Sequence, residues 1–277
     1  MTSKRILPEI IKHLVAVFFL ICTMAPFVIM IFKSFKNAEQ NLYVPFGPSL
    51  PLHFDNYTYA FATVGPYIMN TIVITAISTL IIIILSAMGA FVFARYRFPG
   101  KGFFYMAIIA LMMVPGVLTL VPLFILSERF GILNTKLAII LPGLRAQIPM
   151  AVFLTRAFME GISKEMFEAA AIDGAGMIRC FFNIALPLVK PILATVAILC
   201  ILFFWNDIIW PSIALQTADQ YTLAIGLRPF TAKIMEVTKN LGPVMAGYCI
   251  VSVPLLIAFF VASKQFIAGL ASGSVKM

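Results

Sequence analysis

The chain has 277 residues, of which 62% are hydrophobic and 11% charged, against the roughly 25% charged usual for a soluble domain. That composition excludes an ordinary water-soluble globule and places the chain in the membrane class. The net charge of +9 comes from Lys and Arg scattered through short segments between apolar runs. Such scatter orients membrane proteins and does not form the basic face that nucleic acid needs.

A spanning helix takes about 20 mostly apolar residues. Six windows satisfy this, at 13–33, 67–93, 103–126, 136–158, 188–212 and 241–262. Lys4, Arg5 and Lys12 precede the first, as in a signal peptide. The run from Leu14 to Phe32 is nevertheless long enough to span and lacks a small-x-small cleavage site, so it is expected to be a retained first helix. Six crossings put both ends of the chain on one side. Twelve of the twenty Lys and Arg fall on that side, which predicts cytoplasmic termini.

Residues 36–65, with Pro45, Gly47, Pro48 and Pro51, predict an irregular external loop carrying an interfacial helix near Phe54 to Ala62, begun by Asp55-Asn56. A linker and a partner contact fit it equally. Span two starts at Asn70-Thr71, and its Ser86, Ala87, Gly89, Ala90 and Ala94 allow a neighbouring helix to approach closely. Gly100-Lys101 is not a phosphate loop, for it lacks the upstream glycine and a Ser or Thr at 102. No ATPase is therefore expected in this chain. Pro115, Pro122, Pro142 and Pro149 each remove a helical hydrogen bond and predict kinks or broken segments in spans three and four. Arg145 lies inside span four, where a lone cation faces an aqueous cavity, finds an anionic partner or snorkels to an interface.

Between spans four and five stands a polar island holding Glu160, Lys164, Glu165, Glu168, Asp173 and Arg179. It must lie in water. Ser163 is placed to cap a helix from Lys164 to about Ile172, and Asp173-Gly174 ends it. A second short helix starts near Met177 and is expected to stop at Pro187. The alanines 169–171 give the first helix a low profile on which another protein's groove can close.

Span five ends in Phe203-Phe204-Trp205-Asn206-Asp207, followed by Trp210-Pro211. The depth puts Asn206 and Asp207 near the outer interface, with Trp205 and Trp210 in an aromatic belt or with Asp207 bracing the bundle or touching substrate. The mixed segment 217–240 reads as an external loop, and span six carries Gly242, Pro243, Gly247 and Pro254. Cys22, Cys180, Cys200 and Cys249 make no disulfide framework or metal spacing. His13 and His53 sit away from any carboxylate cluster, and no G-x-S-x-G occurs, so no catalytic or metal residue is assigned.

Glu168-Ala169-Ala170, Gly174 four residues on, nine further residues and then Ile184-x-Leu186-Pro187 resemble the cytoplasmic coupling loop of ABC importer membrane subunits. The phrase Ala94-Arg95-x-x-Phe98-x-Gly100-Lys101, the phrase Trp205-Asn206-Asp207-x-x-Trp210-Pro211 and the tail 264–276 resemble the carbohydrate type, whose MalG-like permease subunits match in all four places. This resemblance implies an all-α polytopic fold of six transmembrane helices with a cytoplasmic two-helix coupling loop. It implies a first helix and external loop over 1–66, a transmembrane domain over 67–263 and a cytoplasmic tail over 264–277. Glu168, Ala169, Ala170, Asp173, Gly174, Ile184, Leu186 and Pro187 are implied to couple to a separate ATPase dimer, which holds the ATP and magnesium. This chain is expected to need no cofactor.

The other implied partners are a second, MalF-like permease subunit, an extracytoplasmic solute-binding protein and a carbohydrate substrate. The chain is expected in the bacterial inner membrane. Arg145, Asn206 and Asp207 are the candidates for pathway or bracing. The rival reading, a secondary transporter or channel subunit, requires inverted repeats or intramembrane ionisable pairs. Only Arg145 and Asp207 are available for such a pair, and no repeat is visible.

Overall fold

The computed structural model describes residues 3–274, with side-chain surroundings from Glu9 to Val261. The last three residues of the tail and the side chains of 262–277 lie outside the described residues. Among the described residues all regular structure is helical. In chain order the helices are α1 (Ser3–Ser34), α2 (Ala38–Tyr43), α3 (Asp55–Arg95), α4 (Lys101–Met112), α5 (Leu120–Arg129), α6 (Leu137–Glu160) and α7 (Glu165–Ile172). They continue as α8 (Met177–Cys180), α9 (Leu186–Leu188), α10 (Lys190–Asn206), α11 (Ile209–Ala214), α12 (Leu223–Val237) and α13 (Leu241–Ser274).

Glu9–Ser34, Asp55–Arg95, Leu137–Glu160 and Leu241–Val261 are each long and apolar enough to cross a membrane. Two bent pairs bring the number to as many as six. One is Lys101–Met112 with Gly116–Arg129, bent by 95°, and the other is Met177–Leu188 with Lys190–Asn206, bent by 71°. Leu14, Phe18, Phe19 and Leu20 of α1 are all exposed, as expected of a helix that faces lipid.

Two compact units divide the chain, residues 1–66 with 227–254 and residues 67–226 with 255–277. In the first, Asn37 makes a capping box with Gln40 and starts α2. The Asn56 amide donates to the carbonyls of Ser34, at 2.9 Å, and Lys36, at 3.0 Å. A Cβ on Gly242 would stand 2.0 Å from that Lys36 carbonyl oxygen, so only glycine lets α13 approach the turn so closely.

In the second unit, one apolar cluster joins Ile74 and Ile82 of α3, Ile139 and Ile140 of α6, Val196 and Phe204 of α10, and Trp210 of α11. Another joins Ala87, Ala90 and Phe91 of α3, Met159 of α6, Cys180 and Ala185 of the hairpin, and Ile192 and Leu193 of α10. The small residues of span two thus sit where helices meet, as their size requires.

Three expectations are corrected. The interfacial helix over 54–62 is not separate, because α3 runs unbroken for 41 residues with Pro66 inside it. The segment 217–240 is not a loop throughout, because α12 occupies Leu223–Val237 and buries Phe230 and Ile234. That 3.6-residue spacing was masked by Arg228, Lys233 and Glu236 on the opposite face. Of the four prolines in spans three and four, only Pro115 coincides with a break. Pro122 falls in the first turn of α5, where no helical N–H partner is required, while Pro142 and Pro149 lie within the continuous α6.

The second short helix of the hairpin ends at Leu188, one residue past Pro187, where the chain bends by 71° into α10. A π-helical turn at Phe181–Ala185 lets the Leu186 amide bond to the Phe181 carbonyl, and the wider turn accommodates the proline ring that follows.

Candidate functional site

The sequence-derived candidates fall in two places, a polar hairpin and a cavity. The hairpin begins with α7, which closes as its sequence dictates. Gly174 takes φ +75°, its amide donates to the Ala171 carbonyl at 3.1 Å, and the Ala175 amide donates to Ala170 at 2.9 Å. These two bonds form a Schellman turn. Ser163 does not cap a backbone amide, since Lys164 occupies the N-cap. The Ser163 hydroxyl instead donates to the Glu165 carboxylate and holds its pKa below the usual range.

Glu168, Ala169, Ala171, Asp173 and Gly174 are exposed. No atom lies within 4 Å of the place a Gly174 Cβ would take. Beside them Ile172 is 88% exposed and Ile178 73%, the most exposed of several large apolar side chains on the hairpin that also include Met166, Met177 and Phe182. Ala170 is half-buried, Ala185 is fully buried, and Leu186 packs beside it on the apolar cluster. Ile184 is half-buried and Pro187 exposed. The Ile-x-Leu-Pro stretch therefore anchors the hairpin through the alanine at its centre.

Arg95 was not singled out from the sequence, although its place in the Ala-Arg-x-x-Phe phrase at a helix end is the signal that marks it. Its guanidinium donates to the carbonyls of Met159 and, at 2.8 Å, Ile162, at the C-terminal end of α6. It also lies 4.3 Å over the Phe167 ring of α7. One side chain thus joins the ends of α3 and α6 to the first helix of the hairpin. A groove of about 240 Å³ runs alongside, lined by Arg95, Tyr96, Lys164, Phe167 and Glu168 among others.

The cavity, of about 290 Å³, lies between the turn at 116–119, α5, α6 and the α10–α11 junction. Arg145 and Asp207 both line it, with Thr119, Phe203 and Trp210. Arg145 donates to the Thr119 hydroxyl at 3.2 Å. Asp207 stands two residues before α11, with its carboxylate near the backbone amides of Ile209 and Trp210. Asn206 does not join them. It is exposed, and its amide turns back to the Leu202 carbonyl at 2.8 Å.

Pro142 leaves the Ala138 carbonyl of α6 without its helical donor, and the buried Trp210 Nε1 donates to it at 2.7 Å. At Gly143 a Cβ would stand 2.2 Å from the Phe204 ring, so α10 packs directly on the α6 backbone. Backbone breaks at 113–116 and 207–208 both border the cavity. Irregular backbone at membrane depth is tolerated where it is buried in protein or lines such a space.

Helices of membrane-crossing length, two of them broken beside a largely apolar cavity that Arg145 and Asp207 also line, define a polytopic membrane protein with an exposed hairpin. Residues 83–268 match the family described as binding-protein-dependent transport system inner membrane component, and the chain belongs to that family. It is 34% identical over 258 residues to the arabinooligosaccharides transport system permease protein AraQ of Halalkalibacterium halodurans, covering 91% of this chain and 90% of that one. To the melibiose/raffinose/stachyose import permease protein MelC of Bacillus subtilis it is 36% identical over 228 residues, covering 81% and 82%. The fold is similar to a chain of a bacterial ABC transporter involved in the import of the acidic polysaccharide alginate. The TM-score is 0.81 at 22% identity, over 96% of this chain and 99% of that chain. The chain is thus a multi-pass membrane component of a transport system, as the coupling-loop resemblance implied.

Proposed function

We propose that this chain is one permease subunit of an ATP-driven carbohydrate importer and supplies half of its translocation path. A second, MalF-like permease supplies the other half, an ATPase dimer binds ATP and magnesium, and an extracytoplasmic binding protein delivers the sugar. The observation that carries this reading is the hairpin. Its uncovered face presents Ala169, Ala171, Ile172, Gly174 and Ile178, while Arg95 ties its root to two long helices. A protein seated on that face can move α7 together with the ends of α3 and α6 as one body. The sugars in the names of AraQ and MelC support oligosaccharide as cargo.

In this reading Glu168, Ala169, Ala170, Asp173 and Gly174 meet the ATPase, and Ile184, Leu186 and Pro187 fix the hairpin to the membrane domain over 67–263. Arg145 and Asp207 belong to the path, whereas Asn206 contributes only near its mouth. The basic residues outside the spans favour cytoplasmic termini and a cytoplasmic hairpin.

Reconstitution with the partner permease, the ATPase and the binding protein tests the assignment. Expected is oligosaccharide uptake that needs ATP and ceases when the binding protein is omitted. Uptake by this chain alone, without ATP, would instead identify a channel or secondary transporter.

A further inference from the structure

In the first unit the end of α1 and the starts of α3 and α13 meet at one junction. The buried Asn56 amide of α3 bonds to the Ser34 and Lys36 carbonyls, and Gly242 of α13 stands against that same Lys36 carbonyl. Glu9–Ser34 and Leu241–Val261 are both of membrane-crossing length and both end here, so the junction lies at a membrane boundary. The loop between α1 and α3 is fastened to it, for the His53 amide donates to the Phe35 carbonyl at 2.8 Å. From Asn41 to Phe54 this loop has no Asp, Glu, Lys or Arg. Its Leu42, Tyr43, Phe46, Leu50 and Phe54 are each at least 63% exposed, more apolar surface than a water-facing loop carries without a partner.

We infer that this loop lies in the interfacial layer of the bilayer, with its apolar side chains among headgroups and upper acyl chains, and anchors the α1–α3–α13 junction at that depth. Three observations favour lipid as the partner. The exposed apolar surface of α1 continues through Phe27, Val28 and Ile31 to its last turn, so the lipid-facing stretch runs along the chain into Leu42 and Tyr43. The loop also needs little water for its backbone. Pro45, Pro48 and Pro51 have no N–H, the buried Lys36 ammonium donates to the Val44 carbonyl, and the Gln40 side chain donates to the Pro51 carbonyl at 3.0 Å. Finally, Tyr43, Phe46 and Phe54 are of the aromatic type that collects where hydrocarbon meets water. An irregular segment does not enter the hydrocarbon itself, which limits the loop to this layer.

The experiment uses the full chain, in the complex that purifies with it, in nanodiscs of phosphatidylethanolamine and phosphatidylglycerol with the native cysteines replaced. A nitroxide is attached in turn to Glu39→Cys, Tyr43→Cys, Phe46→Cys and Leu50→Cys. Power-saturation EPR reads its collisions with oxygen, which concentrates in lipid, and with a nickel chelate, which stays in water. Expected is a ratio of oxygen to chelate collisions several-fold higher at 43, 46 and 50 than at the exposed, charged position 39. Ratios at those three positions no higher than at 39 would put the loop in water and overturn the inference. Few collisions with either reagent would show that a protein covers the loop, and would overturn it as well. Anchoring is read from a label at Ile31→Cys, in the last turn of α1. Adding Phe46→Asp and Leu50→Asp together should shift that label's ratio towards the chelate, as the junction rises out of the interface. An unchanged ratio at 31 would overturn the anchoring.

Discussion

The indole Nε1 of Trp210 donates to the Ala138 carbonyl across 2.7 Å, at the position from which Pro142 has removed the helical donor. A tertiary contact thus completes the hydrogen bonding of a proline-containing helix, and this fixes α11 to α6 beside the cavity. Replacing Trp210 with Phe keeps the ring and leaves a buried carbonyl unpaired, which costs about 1–3 kcal/mol. In a Pro142→Ala background the helix regains its own donor, so the same replacement should cost distinctly less. Denaturation midpoints of the four variants of this cycle check the coupling. Equal losses in both backgrounds would show that the indole does not serve the proline.

Gly143 faces the second consequence of that packing. A methyl at its Cβ position would stand 2.2 Å from the buried Phe204 ring, so Gly143→Ala should destabilise the chain by about 1–3 kcal/mol through overpacking. Adding Phe204→Leu should recover part of the loss, read from the same unfolding measurement. An unaffected Gly143→Ala variant would mean that α10 yields at this contact.

Arg95 is expected to matter for coupling more than for folding. Arg95→Lys keeps the charge but cannot reach two carbonyls with one planar fork while covering Phe167. In the reconstituted importer the variant should retain the ATPase and hydrolyse ATP, with uptake per ATP reduced several-fold. Uptake and hydrolysis falling in equal proportion would assign Arg95 to stability alone.

The hairpin was the most legible part of the sequence, because its turn depends on local chemistry. Asp173-Gly174 ends a helix wherever it stands, and the left-handed Gly174 follows from that. The apolar runs were legible for the same reason, since length and composition alone decide them. Pro142 and Pro149 misled because their effect is settled by partners far along the chain, and Trp210 supplies one of them. The convergence of Arg145 and Asp207 on one cavity was hidden similarly, as each looked like an isolated intramembrane charge until α6 and the α10–α11 junction were placed together. In α12 the polar face outweighed a buried stripe of Phe230 and Ile234.

The coupling role of the hairpin is tested most directly by asking whether the ATPase stays on the complex. Gly174 has φ +75° and no atom within 4 Å of its Cβ position, so a larger residue starts in open space and costs about 1 kcal/mol of local backbone strain. Any greater effect must come from whatever covers that space. Glu168 is exposed on α7, and its loss should remove a charged contact without disturbing the Schellman turn. The decisive measurement is co-purification of the ATPase with tagged Gly174→Asp and Glu168→Ala subunits, alongside uptake. Expected is release of the ATPase and loss of uptake for Gly174→Asp, with retained ATPase and lowered uptake for Glu168→Ala. Full ATPase binding and full uptake in the Gly174→Asp complex would contradict the coupling role of this hairpin.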